Sequence, residues 1–232
     1  MLPSAILIGT GAGPVLTSVM AFIPDVQTLA LYALACVILF ITPGPDMSLW
    51  LAKTLTSGRR GGMAAMLGTQ AGCVFHTLLA AVGLSALLAA SSTAFTVLKI
   101  VGALYLGWLA VQAIRSGSAL TVSAGNPRQV PFWPTFLVGL GINITNPKVV
   151  LFFVTFLPQF VGAHDRGATG KLLFLGLAFT GLNLMLAFWL ILGAEQIVEG
   201  LKRRPGIVRM VDYVFAGVFG FFAIKILSTQ GR

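Results

Sequence analysis

From Gly61 to Leu98 the chain carries no Asp, Glu, Lys or Arg. That uncharged stretch is longer than the roughly 20 apolar residues that take one helix across a bilayer. It cannot form a water-facing surface, and it is too long for a single crossing. The rest of the sequence agrees. Of 232 residues 57% are hydrophobic and 9% charged, against roughly 25% charged in a soluble domain, and the mean hydropathy is +0.94. The composition implies an all-α polytopic membrane protein with the lipid bilayer as its solvent.

Six apolar segments have the length of a span: Val26–Leu51, Met63–Ala90, Phe95–Ile114, Phe132–Phe160, Leu172–Ile197 and Ile207–Leu227. Ser91, Ser92 and Thr93 mark the turn that divides the uncharged stretch, with a cap for the next helix, and Asp25 is placed to cap the first. Fifteen Lys and Arg against six Asp and Glu give a net charge of +9. These cations gather at the ends of the apolar runs, the pattern of the positive-inside rule and not of a nucleic-acid surface. Lys53, Arg59 and Arg60 follow helix 1, Arg115 and Arg128 follow helix 3, and Lys202, Arg203, Arg204 and Arg209 follow helix 5. Arg166, Lys171, Lys225 and Arg232 are left for the other side, so both termini are expected outside. Cys36 and Cys73 sit inside apolar runs without a metal-ligand spacing and read as packing residues.

Helix 1 runs through Leu31–Ile41 and meets Thr42-Pro43-Gly44-Pro45-Asp46; helix 4 runs through Phe136–Ile144 and meets Thr145-Asn146-Pro147-Lys148. Proline removes a backbone donor and clashes with the preceding turn, so both helices are expected to break within the membrane. Irregular backbone at that depth must be buried in protein or line a watery cavity. Asp46 and Lys148 follow the breaks directly, and a charge near the bilayer centre costs about 2.5–3.5 kcal/mol on insertion scales, so such residues are paired or functional.

The polar linker 117–131 divides the chain into halves, 20–116 and 132–232, and residues 1–19 form an N-terminal extension expected to be disordered. A shift of 113 residues lays Gly68 on Gly181, Gln70 on Asn183, Lys99 on Asp212 and Gly107 on Gly220. Pro43 and Pro147 match with a shift of 104. Three helices per half is an odd number, so the halves are expected to be inverted repeats, as in secondary transporters whose solute sits where broken helices meet. Lys99 and Asp212, expected near the outer ends of helices 3 and 6, read either as snorkelling charges or as a charge pair or proton-linked gate. His76, in the middle of helix 2, is a proton relay or a core histidine. The spacings Gly61/Ala65 and Gly68/Gly72 suit close helix packing.

TPGPDM at 42–47, the glycine-spaced helix 2, KIVGALYLGWLAVQAIR at 99–115 and NPK at 146–148 together resemble the LysE/RhtB family of amino-acid exporters, from about Met20 to the C-terminus. The resemblance implies proton-coupled export of amino acids or close derivatives through the bacterial inner membrane, with no cofactor, and it is compatible with a homo-oligomer. The expected site is Thr42, Pro43, Gly44, Pro45 and Asp46 with Asn146, Pro147 and Lys148: Asp46 and freed carbonyls for the ammonium of a zwitterion, Lys148, Asn146 and a half-helix N-terminus for its carboxylate. Asp46 or Asp212 could instead carry the coupling proton. A metal-ion or other small-cation efflux protein is the alternative; it would want clustered Asp, Glu, His or Cys, where this chain has scattered singles. No metal site, hydrolase arrangement or GxxxxGK[ST] loop is present in the sequence, so neither an enzyme nor an ATP-driven pump is expected.

Overall fold

In a computed structural model of the chain, the described residues are 23–116, 130–162, 165, 167–203 and 205–230. The proposed extension 1–19 and nearly all of the linker 117–131 lie outside them. Among the described residues the regular elements are all helical: α1 Val26–Ile41, α2 Pro45–Ala90, α3 Ser92–Ser116, α4 Phe132–Thr145, α5 Pro147–Phe160, α6 Ala168–Leu192, α7 Ala194–Arg203 and α8 Pro205–Gln230.

By length and composition α2, α3, α6 and most of α8 can each cross a membrane, and α4 with α5, bent by 52°, makes a fifth such unit. Their outward faces are apolar: Val82, Leu104, Trp189 and Ile224 are all more than half exposed. Polar side chains such as Gln70, Asn143, Asn146 and Asp212 are buried instead. Apolar outside and polar inside is the distribution that hydrocarbon solvent requires. The chain is a multi-pass membrane protein.

The 46 residues of α2 are not one rod. Gly58 sits at φ 71°, ψ 179°, a left-handed conformation that costs glycine little. Trp50 Nε1 nevertheless donates to Thr69 Oγ1 at 3.0 Å, two residues that a continuous helix would hold about 28 Å apart. The chain therefore doubles back at Gly58, giving a first limb 45–57 and a second limb 59–90. Sequence alone placed a loop there; the structure keeps helix on both sides of one glycine. Helix 5 is shorter than expected, because the chain leaves α6 at Gly193 and begins the separate α7, which buries Ala194 and Val198 against Trp50 and Leu51.

Polar groups sort to two ends. At one, Arg59 donates to Leu192 O and Arg209 to Ala113 O and Ile114 O. At the other, Asp25 caps α1 through Thr28 N, Ser91 caps α3 through Ala94 N, and Lys171 pairs with Asp165 at 2.5 Å. Burial alone would raise the Asp165 carboxyl, but hydrogen bonds from Lys171 and from Gly167 N–H hold it below its usual range.

Close packing joins the second limb of α2 to α4. A Cβ on Gly68 would meet Phe136 O, and one on Gly139 would meet Ala65 O, so the backbones touch through small residues. Helices α3 and α8 pack antiparallel, with Gly107 against Ala223 and Ala110 against Gly220. Between these layers lies an aromatic core of Tyr32, Phe152, Phe156, Phe179 and Phe219.

Candidate functional site

The two interruptions in the helices face one another. α1 ends at Ile41, Thr42 turns extended (ψ 117°), and the first limb of α2 restarts at Pro45. α4 ends at Thr145, Asn146 turns extended (ψ 110°), and α5 restarts at Pro147. The cause is local. A residue preceding proline is pushed out of the helical region, which acts on Thr42, Gly44 and Asn146, while proline itself suits the first helical position. At the first break Ile38 O accepts from both the amide and the hydroxyl of Thr42, and Thr42 O is left to find a partner outside its own helix.

That partner comes from the other break. Lys148 Nζ donates to Thr42 O at 2.5 Å. In return Asp46, in the first turn after break one, accepts from Asn146 Nδ2 at 3.0 Å and from Asn143 Nδ2 at 2.6 Å. Asn146 Oδ1 meanwhile caps α5 by accepting from Lys148 N at 3.1 Å. The two breaks are thus cross-braced by one cation on a carbonyl and two amides on a carboxylate. Asp46 and Lys148 are half-buried, whereas Thr42, Asn143 and Asn146 are buried.

A small cavity of about 30 Å³ lies against this network, bordered by Asp46, Lys148, Asn146, Trp50, Phe179 and Asn183. It has room for about one water molecule. Around it stands a second polar layer. His76 Nε2 lies 3.4 Å from Asn143 O, its ring stacked on Phe153. Gln70 Nε2 donates to Asn183 Oδ1 at 3.2 Å. Gly72 gives Asn143 its room, since a Cβ there would run into the Asn143 amide. Buried Asn143 Oδ1 and Gln70 Oε1 have no hydrogen-bond partner among the described residues.

Of the residues singled out from sequence, Thr42, Asp46, Asn146 and Lys148 meet in this network, with Gly44 against the Lys148 side chain and Pro43, Pro45 and Pro147 shaping its backbone. His76 stands beside it through Asn143. Lys99 and Asp212 are not brought together. Lys99 Nζ donates to Val161 O, while Asp212 is one helical turn from Arg209, which reaches the far end of α3. They occupy opposite ends of the α3–α8 pair, which corrects the expectation of two outer-end charges and a direct pair. Asn143, Trp50 and Asn183 were not picked out as site residues. Asn143 had a legible signal: it lies three residues before Asn146, on the same helix face, in an apolar run.

The family described as LysE type translocator matches residues 37–230. The chain belongs to that family. It is a membrane transporter and not an enzyme. Among its relatives, an uncharacterized membrane protein of Vibrio cholerae is 29% identical over 84% of this chain and 94% of its own length. A homoserine/homoserine lactone efflux protein of Salmonella typhimurium is 28% identical over 85% of this chain and 86% of its own. A leucine efflux protein of Klebsiella pneumoniae is 24% identical over 86% of this chain and 94% of its own. No solved structure matches the chain.

Proposed function

We propose that this LysE type translocator exports amino acids or their close derivatives from the bacterial cytoplasm, exchanging them for protons at Asp46. The observation that carries the reading is the cross-brace: a carboxylate held by two amides and an ammonium held by a carbonyl, at two interruptions in apolar helices. A zwitterionic solute offers the same two partners. Its ammonium replaces the amides on Asp46, and its carboxylate replaces Thr42 O on Lys148. Binding therefore releases both braces at once, which frees the breaks to move, and a ligand shifts a conformational balance only by such differential contacts. A proton on Asp46 removes the charge that holds the ammonium, so solute and proton compete for one carboxylate. The apolar surroundings, including Leu39, Phe40 and Met47, suit an uncharged side chain. The names of the homoserine and leucine efflux relatives support the solute class and give no support to metal-ion efflux.

In this reading the chain crosses the membrane six times: α1 with the first limb of α2, the second limb, α3, α4 with α5, α6 and α8. The fold-back at Gly58 and the 52° bend support that count. The exchanged contacts Gly107–Ala223 and Ala110–Gly220 support two inverted halves. The end bearing Arg59 and Arg209 faces the cytoplasm by the positive-inside rule, and both termini lie outside.

The test is uptake of labelled L-homoserine, L-leucine, L-threonine and L-lysine into inside-out vesicles, with and without an uncoupler. Uptake of at least one, collapsed by the uncoupler, is expected. Asp46→Asn and Lys148→Ala should each reduce it at least 100-fold while the protein remains in the membrane. Wild-type flux in both variants would return the breaks to structural kinks, and uncoupler-insensitive uptake would remove the proton from the mechanism.

A further inference from the structure

While the braces are closed the central cavity is narrow, but the opposite end from Arg59 holds a larger cavity of about 310 Å³. Lys99 of α3 and Lys225 of α8 both line it, together with Thr28, Phe160, Phe222 and Ile226, and none of its lining residues is acidic. Lys99 is half-buried. Among the described residues one of its bonds goes to Val161 O at 3.3 Å, and its amine stands 5.9 Å from the Phe95 ring centre. A lysine ammonium has three donors and no acceptor, and a cation partly withdrawn from water is stabilised by an anion beside it. Half-buried Lys99 with exposed Lys225 beside it, over an apolar floor, forms a receptor for an anionic oxygen group carrying an apolar tail.

A column of rings separates this cavity from the central one. Phe179 borders the central cavity and stacks on Phe152 at 4.2 Å; Phe152 stacks on Phe156 at 5.3 Å; Phe156 meets Phe160 at 5.1 Å, and Phe160 lines the outer cavity. Tyr32 braces the column, its ring 5.0 Å from Phe160 and its hydroxyl donating to Leu175 O at 2.7 Å. The middle of the column, Phe152–Phe156, is a π-helical turn, a geometry that marks functional sites in helices.

We propose that the outer cavity is a second solute site, where an amino acid leaving the Asp46 centre past the aromatic column rests its carboxylate on Lys99 and Lys225. The solute class rests on the exporter reading; the site does not. Phe160, Phe222 and Ile226 cover the solute's side chain, and its ammonium faces water.

Equilibrium dialysis of radiolabelled L-leucine and L-homoserine against the full chain in phosphatidylcholine nanodiscs tests this directly. Asp46→Asn should leave a binding component that Lys99→Gln/Lys225→Gln, built on it, weakens at least 10-fold. Leucinamide, which lacks the carboxylate, should not compete for that component. Binding unchanged by the lysine substitutions, or equal competition by leucinamide, overturns the site. A lysine-dependent signal that disappears when phosphatidylglycerol is added assigns the cavity to a lipid headgroup and overturns it as well. Export is read separately from efflux in proteoliposomes, so lysine-dependent binding without any flux would sink the exporter reading and leave the cavity standing. Should the double variant misfold, each single Lys→Gln variant is expected to weaken binding measurably and by less than the double, since two amines on one carboxylate are coupled.

Discussion

Asn143 shows how much one side chain settles. It is fully buried, donates to Asp46 at 2.6 Å, and turns its carbonyl toward Gly72. Asp46 is half-buried, and removing a hydrogen-bond partner from a charged group withdrawn from water costs about 1–3 kcal/mol. Asn143→Ala is therefore expected to slow transport 10-fold or more while expression persists. Asn143→Asp is more informative. Two carboxylates side by side cannot both stay ionised without a penalty, so one proton must be shared, and the neutral acid can then donate as the amide did. Flux through Asn143→Asp should be lost at neutral pH and partly return as the pH on the Asp46-accessible side falls, measured as pH-dependent efflux from proteoliposomes. Wild-type flux through the isosteric Asn143→Asp at every pH would mean that Asn143 serves only to fill space. The sequence names Asp46 and Lys148 through their cost in the bilayer, whereas Asn143 bears no charge and offers only the weaker signal of a polar residue one turn before Asn146; its contact with Asp46 gives it a role.

At the scale of helices, the decisive contact is the one between the second limb of α2 and α4. The Gly68/Gly72 spacing foretells a tight interface, but the partner emerges only in three dimensions, because Gly139 lies in the other half of the chain. Gly68 and Gly181 are equivalent under the 113-residue shift, yet their surroundings differ. A Cβ on Gly68 meets the Phe136 carbonyl, whereas Gly181 has open space. An alanine in a helix is intrinsically favoured over glycine by about 0.5–1 kcal/mol, and at Gly181 nothing opposes that gain. At Gly68 the obstacle is backbone, which cannot rotate away, and overpacking costs about 1–3 kcal/mol. Gly68→Ala should lower the thermal midpoint by several degrees in detergent and Gly181→Ala should leave it unchanged or slightly raised, as read by a fluorescence melt. Equal melts for the two would place α4 farther from α2. The reversal near Gly58 is legible, since the glycine-rich, basic TLTSGRRGG lies between two apolar spans, but its form is not: helix runs up to and away from a single left-handed glycine, which Trp50 and Thr69 bridge.

Across the whole molecule, the placement of Lys99 and Asp212 at opposite ends of the α3–α8 pair is the most instructive. In the proposed inverted-repeat arrangement, matching positions are carried to opposite ends by the inversion itself, so their equivalence in sequence argues against their meeting. The contacts that inversion does generate are exchanged ones, in which residue i of the first half touches the counterpart of j while j touches the counterpart of i. Gly107 with Ala223 and Ala110 with Gly220 have this relation under the 113-residue shift. A Cβ on Gly107 would stand 3.8 Å from that of Ala223, and one on Gly220 would stand 3.9 Å from that of Ala110. A disulfide needs Cβ atoms about 3.5–4.5 Å apart, so both pairs can be bridged without backbone movement. With Cys36 and Cys73 replaced by alanine, Gly107→Cys/Ala223→Cys and Ala110→Cys/Gly220→Cys should cross-link to similar extents under mild oxidation, seen as a mobility shift after proteolysis in the linker. Lys99→Cys/Asp212→Cys should not cross-link. A bond in that third pair, or in only one of the first two, would break the exchange relation and with it the proposed two-fold arrangement of the halves. Both bonds together would pin α3 to α8 across one helical turn near the middle of the pair. If transport then continues, the moving parts are the cross-braced breaks and the aromatic column, with the α3–α8 pair as the frame they move against.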